Sequence, residues 1–326
     1  KRIPDNSFKN CKSLTDIDLS NDNITYIGSS AFEGCESLAY ITFPSSLSSI
    51  GENAFLGIKT LTINGEFQRI LNKSFQNCST ITKIIINSDK LKTIEWNAFY
   101  GCSSLTEITL PSAFDSIGSN AFKGVKTLAI KGDIKCIPDN TFANCESLIK
   151  ITFDTDTITE IKSSAFENCK SLKGITIPST IHSIQNSLFK MCTSITKIII
   201  PSSINSIDSS AFEGCSSITE ITIPSSISYI NNNAFLGIKT LIINGDIQNL
   251  PNSSFFNCTS ITKIVFNTDT LKSIGSSAFE GCTSLTEISL PSFVQEIKNR
   301  AFFGINTLTI SGDIQNIPKD SFKNCT

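Results

Sequence analysis

The chain has 326 residues, 40% of them apolar, and its 27 Lys+Arg against 29 Asp+Glu leave a net charge of −2. That balance, with no basic block, excludes nucleic-acid binding driven by phosphate neutralisation. A single histidine, His182, excludes a His-pair zinc site and leaves little imidazole for acid–base work.

No run approaches the roughly 18 apolar residues of a membrane-spanning helix. The opening Lys1-Arg2-Ile3-Pro4-Asp5-Asn6 also lacks the apolar core of a signal peptide. Twelve cysteines, counted alone, imply six disulfides and an extracellular address. Their positions change that inference.

From the N-terminus onward the chain repeats itself. Phe8, Phe32, Phe55, Phe75 and Phe99 begin a series that runs to Phe322 in steps of 24, 23 and 20 residues. The steps form a 67-residue triplet, present three times intact and once with two further 23-residue units inserted. Residues 1–326 are therefore expected to form a single solenoid of about fourteen units, because units this short must stack to bury a face. The chain starts and stops inside a unit, so incomplete repeats stand at both ends, as in a piece of a longer protein. Such open ends favour end-to-end self-association.

Within one unit, Leu38–Phe43 alternates with Ile41 and Phe43 on one side and Thr42 on the other, the pattern of a short strand with one buried face. Pro44 lacks a ladder donor and turns the chain out of the sheet. Leu47 and Ile50 then point inward at a spacing of three. The segment Gly28-Ser29-Ser30-Ala31-Phe32-Glu33-Gly34-Cys35 predicts a brief helical turn, with Ser or Asn as N-cap and Gly at the exit. All ten prolines avoid strand interiors. The expected fold class is an α/β-type repeat solenoid, curved, with a parallel β-sheet on one face and short helical or irregular returns on the other.

The string Leu38-x-x-Ile41-x-Phe43-Pro44-x-x-Leu47-x-x-Ile50-x-x-x-Ala54-Phe55 recurs as Ile218-x-x-Ile221-x-Ile223-Pro224-x-x-Ile227-x-x-Ile230-x-x-x-Ala234-Phe235. It resembles a leucine-rich repeat. The ending Ala211-Phe212-Glu213-Gly214-Cys215 is similar to the BspA-like (Treponema pallidum type) subclass, and the match spans essentially the whole chain. It departs from that pattern in preferring Ile to Leu and in its 20-residue units. The resemblance implies a surface protein, of a bacterium or a mucosal protozoan, that adheres to host extracellular-matrix proteins. Periodicity by itself implies only a scaffold able to bind.

Eleven cysteines, from Cys11 to Cys325, stand three residues after a landmark Phe. Ile58, Val125, Ile238 and Ile305 take that place at the start of the 20-residue units, where one apolar side chain is expected to replace both the Cys and the first strand Leu. Exchange with Ile and Val marks a buried apolar slot. Stacked thiols with parallel side chains neither bridge nor converge on a metal, so reduced thiols are expected. Cys136, between inward Ile134 and Ile137, is the exception and a candidate accessible thiol.

No residue constellation supports catalysis, a cofactor or a metal. The expected function is a non-catalytic protein-binding or adhesion module of a cell-surface or secreted protein, with an intracellular scaffold as the alternative. Its partner would be a protein ligand, such as an extracellular-matrix protein, with no nucleic acid and no membrane insertion of this segment. On the open sheet face, Ile199, Ile242 and Val265 fall in an outward column otherwise rich in Thr and are the candidate partner-binding residues. The adjacent column sets Lys83 beside Glu107, Lys197 beside Glu220 and Lys263 beside Glu287, pairs that satisfy each other. Trp96 is a candidate exposed anchor, and His182 is expected on the solvated surface. Six sequons, at Asn23, Asn72, Asn77, Asn252, Asn257 and Asn324, are compatible with secretion in a eukaryote.

Overall fold

The computed structural model describes residues 1–20, 23–111, 116–131, 134–154, 157–305 and 309–311. Phe322, Cys325 and the sequon at Asn324 lie outside them. The chain divides into two compact units, Lys1–Ile158 and Thr159–Thr326.

In the first unit, seven parallel strands pair in chain order: Asp16–Asp18, Tyr40–Thr42, Thr60–Asn64, Lys83–Asn87, Glu107–Thr109, Thr127–Lys131 and Lys150–Asp154. The second unit has six: Lys197–Ile199, Glu220–Thr222, Thr240–Asn244, Lys263–Phe266, Glu287–Ser289 and Thr309–Ser311. Alternation sends one set of side chains inward. Ile84 faces Ile108, which faces Ile130, and all three are buried. Each buried Ile contributes about 1.5–3 kcal/mol against the entropy of ordering the chain.

The landmark phenylalanines form a second interior column. In the first unit successive rings from Phe8 to Phe142 lie 5.1–5.6 Å apart. From Phe166 to Phe302 in the second unit they lie 5.2–5.7 Å apart. Stacking of this kind adds about 0.5–1.5 kcal/mol per pair beyond the area buried.

The expected helical turn around each Phe is absent among the described residues, and the backbone shows why. Ser30, two residues before Phe32, has φ 54°, and Gly34, two residues after it, has φ 72°. Left-handed residues on both sides cannot continue a right-handed helix. The amides of Ser30, Phe32 and Gly34 donate instead to Glu52, Ala54 and Leu56 of the next turn, at 2.8–2.9 Å. The same Ser, Asn and Gly residues that resemble helix caps are there because they tolerate positive φ.

The 20-residue turns also differ from expectation. Ile58 is fully buried in the slot that Cys35 fills, but Leu61 is buried as well, as Leu38 is, so no single side chain replaces both. Ile41 pairs with Ile63, and not with Leu61. Part of the three-residue deficit therefore falls after the strand. Gly65, at φ +122°, makes the tight exit there, and a Cβ on it would run into the Phe43 carbonyl oxygen.

A second set of short ladders joins the returns. In the first unit these are Arg2–Ile3, Tyr26–Ile27 and Ser49–Ile50, then Arg69–Ile70, Thr93–Ile94 and Ser116–Ile117. In the second unit they are Ser183–Ile184, Ser206–Ile207 and Tyr229–Ile230, then Asn249–Leu250, Ser273–Ile274 and Glu296–Ile297. The 20-residue turns that carry Arg69 and Asn249 each begin a new ladder. A further interruption, between Glu160–Ile161 and Ser183–Ile184, flanks a stretch around Gly174 that forms no strand. Glycine there offers no side chain to pack on a pleated surface.

Candidate protein-interaction surface

The outward face of the main sheet presents a grid of side chains whose rows are the strands. The charge pairs form where alternation puts them: Lys83 Nζ lies 2.6 Å from Glu107, Lys197 Nζ 2.6 Å from Glu220, and Lys263 Nζ 2.7 Å from Glu287. Lys131 also reaches Glu107, at 3.2 Å. Hydrogen bonds from Lys83 and then Lys131 outweigh partial burial and hold the Glu107 carboxyl below the ordinary glutamate range.

The columns are displaced from those expected. Thr222 pairs with Asn244, and Ile242 stands between Glu220 and Val265. Ile199 is 62% exposed and Ile242 37%, whereas Val265 is half-buried. Ile242 and Val265 thus meet as register partners, with a groove of about 440 Å³ running from Val265 past Lys263 and Glu287. Ile199 lies two strands away, opposite Thr222. At the following step the expected register holds, and it brings amides together: Asn87 Nδ2 donates to Asn64 Oδ1 at 3.1 Å, and Asn267 Nδ2 to Asn244 Oδ1 at 2.8 Å.

Behind this face, the described cysteines are all thiols, and the nine from Cys35 to Cys282 that follow a landmark Phe are buried. Cys11, which has no preceding turn in the described chain to pack on, is exposed. The sulfurs point along the stack. Cys102 Sγ donates to the Phe75 carbonyl, Cys215 to Phe189 and Cys282 to Phe255, each at 3.0 Å. Burial pushes the thiols of Cys78, Cys145, Cys215 and Cys258 up to about 12. Among the described residues no group of three or more His, Cys, Asp or Glu is placed to hold a metal ion.

A model of the BspA-type leucine-rich-repeat region matches in six copies, over residues 1–129, 124–242 and 236–326. The chain belongs to the BspA-type leucine-rich-repeat family. Among solved structures, a leucine-rich repeat protein from Bacteroides ovatus ATCC 8483 is similar over 95% of this chain and 85% of its own, at 27% identity and a TM-score of 0.59. The leucine-rich repeat protein of T. pallidum matches over 62% of this chain and 77% of its own, at 25% identity and a TM-score of 0.34. A leucine-rich cell surface protein from Faecalibacterium prausnitzii A2-165 matches over 96% and 83%, at 23% identity and a TM-score of 0.30. None of the curated proteins is a match.

In this BspA-type chain the remaining candidates are scattered. Trp96 is 51% exposed in a return of the first unit, with the Lys73 ammonium 5.7 Å from its ring centre. Cys136 opens the return strand Cys136–Ile137 and is half-buried. His182 is exposed, its Nδ1 3.2 Å from the Ser203 carbonyl oxygen. No helix among the described residues is long and apolar enough to cross a membrane. Two sequons hide their hydroxyl: Ser74 and Ser254 are buried and donate to the carbonyls of Leu71 and Pro251.

The expected columns also omitted Tyr40, which is 52% exposed on the outward face and pairs with Thr62. Its place two residues before Thr42 was the available signal, since residues i and i+2 share a face.

Proposed function

We propose that this BspA-type chain is a protein-binding module of a cell-surface adhesion protein, and that it grips its partner with the outward face of the main sheet. The observation that carries this is Ile199, exposed by 62% amid a hydrogen-bonded polar grid, with the register partners Ile242 and Val265 beginning two strands away on the same face. Apolar side chains held on a sheet already ordered by its inward Ile and Phe columns meet a partner with little further entropy to lose. Family membership favours protein recognition over chemistry, and an extracellular-matrix protein is the partner class that suits a surface adhesin.

The test is a binding titration of the chain against immobilised extracellular-matrix proteins, repeated with Ile199→Lys plus Ile242→Lys. Saturable binding that weakens about tenfold or more in the double variant is expected if these residues sit at the centre of the contact. Saturable binding that survives the double variant would exclude this face.

A further inference from the structure

The return ladders are interrupted at equivalent places in the two units, and each interruption is a cleft. In the first unit a cleft of about 380 Å³ separates Ser45–Ser48 from Glu66–Arg69. In the second, a cleft of about 740 Å³ separates Ile227 and Ser228 from Asn249–Asn252. Both fall in the size range of ligand sites. The two sites are 180 residues apart in sequence and arise from the same cause, a 20-residue turn.

An intact rung shows what each cleft lacks. Between Tyr26–Ile27 and Ser49–Ile50, the amides of Ser48 and Ser49 donate to the Thr25 carbonyl and that of Gly51 to Ile27. At the first cleft the corresponding acceptors are the carbonyls of Ser48 and Ile50, and the corresponding donors are the amides of Gln68, Arg69 and Leu71. At the second they are the carbonyls of Ser228 and Ile230 and the amides of Gln248 and Asn249; Pro251 takes the third position and has no N–H. Among the described residues the strands Ser49–Ile50, Arg69–Ile70, Tyr229–Ile230 and Asn249–Leu250 are edges of their ladders, with no strand paired on the cleft side, and none of these groups bonds to backbone outside a ladder. In the intact rung the pairing of Ile27 with Ile50 also carries the Ile27 amide to the Ser49 carbonyl. The first wall of each cleft therefore adds the amide of Ile50 or Ile230, and the second the carbonyl of Arg69 or Asn249. These alternating groups complement an extended backbone lying between them.

We propose that each cleft receives an extended segment of a partner polypeptide, parallel to the return strands, as the missing rung. Its amides would donate to Ser228 O and Ile230 O, and its carbonyls would accept from Gln248 and Asn249. An apolar side chain of the segment would point inward against Ile227, Leu250 and Pro251. Lys272 and Lys298, exposed on the donor side with Glu296 between them, favour an acidic residue on the outward side. This site lies on the return ladder and goes beyond the open-face contact.

The probe is a synthetic heptapeptide, Ser-Ile-Asn-Ser-Ile-Asp-Ser, the chain's own rung at residues 203–209. It is titrated into the whole chain while amide hydrogen exchange is followed. Saturable binding that slows exchange at Gln248 and Asn249 is expected. Asn249→Pro removes one donor together with the Asn249 Oδ1 that accepts from Ser273 Oγ, and it should weaken binding about fivefold or more relative to Asn249→Ala, which loses only that side-chain bond. Lys272→Glu plus Lys298→Glu leaves the backbone untouched and should weaken the Asp peptide, with recovery when Asp is replaced by Lys in the peptide. Exchange at Gln248 and Asn249 that is unchanged at millimolar peptide would overturn the proposal. Equal affinity for the wild-type chain and the Lys double variant would overturn the acidic preference. Ile199→Lys plus Ile242→Lys should leave peptide binding intact, so the cleft and the open face fail separately.

Discussion

Ile63 pairs across the main sheet with Ile41, two residues on from the partner that simple counting assigns. The slip depends on Gly65, whose backbone passes against the Phe43 carbonyl, and it recurs where Gly245 passes against Ile223. Gly65→Ala combines a clash with backbone with a strained φ and should cost about 2 kcal/mol or more. Gly174→Ala, with nothing within 4 Å of the added carbon, should be neutral or stabilising. Urea unfolding of both variants checks this, and equal midpoints for the two would refute it.

The phenylalanine column should be the most sensitive part of the core. Phe212 stacks between Phe189 at 5.5 Å and Phe235 at 5.7 Å, and none of its ring is exposed. Phe212→Ala should destabilise by about 3–5 kcal/mol, with Phe212→Leu well below that. A loss under about 1 kcal/mol for the alanine variant would mean that the turns can close over the gap.

The thiol column predicts a pH dependence. Cys215 loses its proton at about 12 in the folded chain, against 9.0 for an ordinary cysteine. The unfolded chain ionises first, so this contribution is fully present below the ordinary value and fades as pH rises from there towards about 12. Urea midpoints should fall over that window. The fall should be shallower in Cys215→Val, which is otherwise tolerated because Val125 fills the same slot. On the folded chain a thiol reagent should find Cys11 first and the nine buried sulfurs only on unfolding.

Glu107 has the opposite sign. Its carboxyl is held low by Lys83 and Lys131, so its contribution is present above the ordinary glutamate pKa and lost as pH falls through the folded value. An NMR titration should place Glu107 below the ordinary glutamate value, and Lys83→Gln plus Lys131→Gln should bring it up. The effect on stability should be a fraction of a kcal/mol, because the lysines are solvent-exposed.

The repeat, the inward Ile columns, the Phe column and the buried thiols were all legible in the spacing of Phe, Cys and Ile, because a solenoid writes each interior position many times over. The conformation around Phe32 was not. Ser30 and Gly34 suit a helix cap and a left-handed turn equally well, and only the bonds to Glu52 and Leu56 on the next turn decide between them. Register at the 20-residue turns was hidden for a related reason. The count of missing residues is visible in sequence, but their division between the two sides of the strand is set by how closely Gly65 can approach Phe43. The outward candidates were found residue by residue; their neighbours, such as Glu220 beside Ile242, required the register.

The return ladder from Ser183 through Ser206 to Tyr229 passes through two successive 23-residue steps without interruption. A duplication of such a step would insert one more rung and leave every existing pairing in place. Duplication of a 20-residue step would end one ladder and start another. Unequal recombination within the gene thus has two distinct products, one that lengthens the scaffold and one that multiplies its clefts.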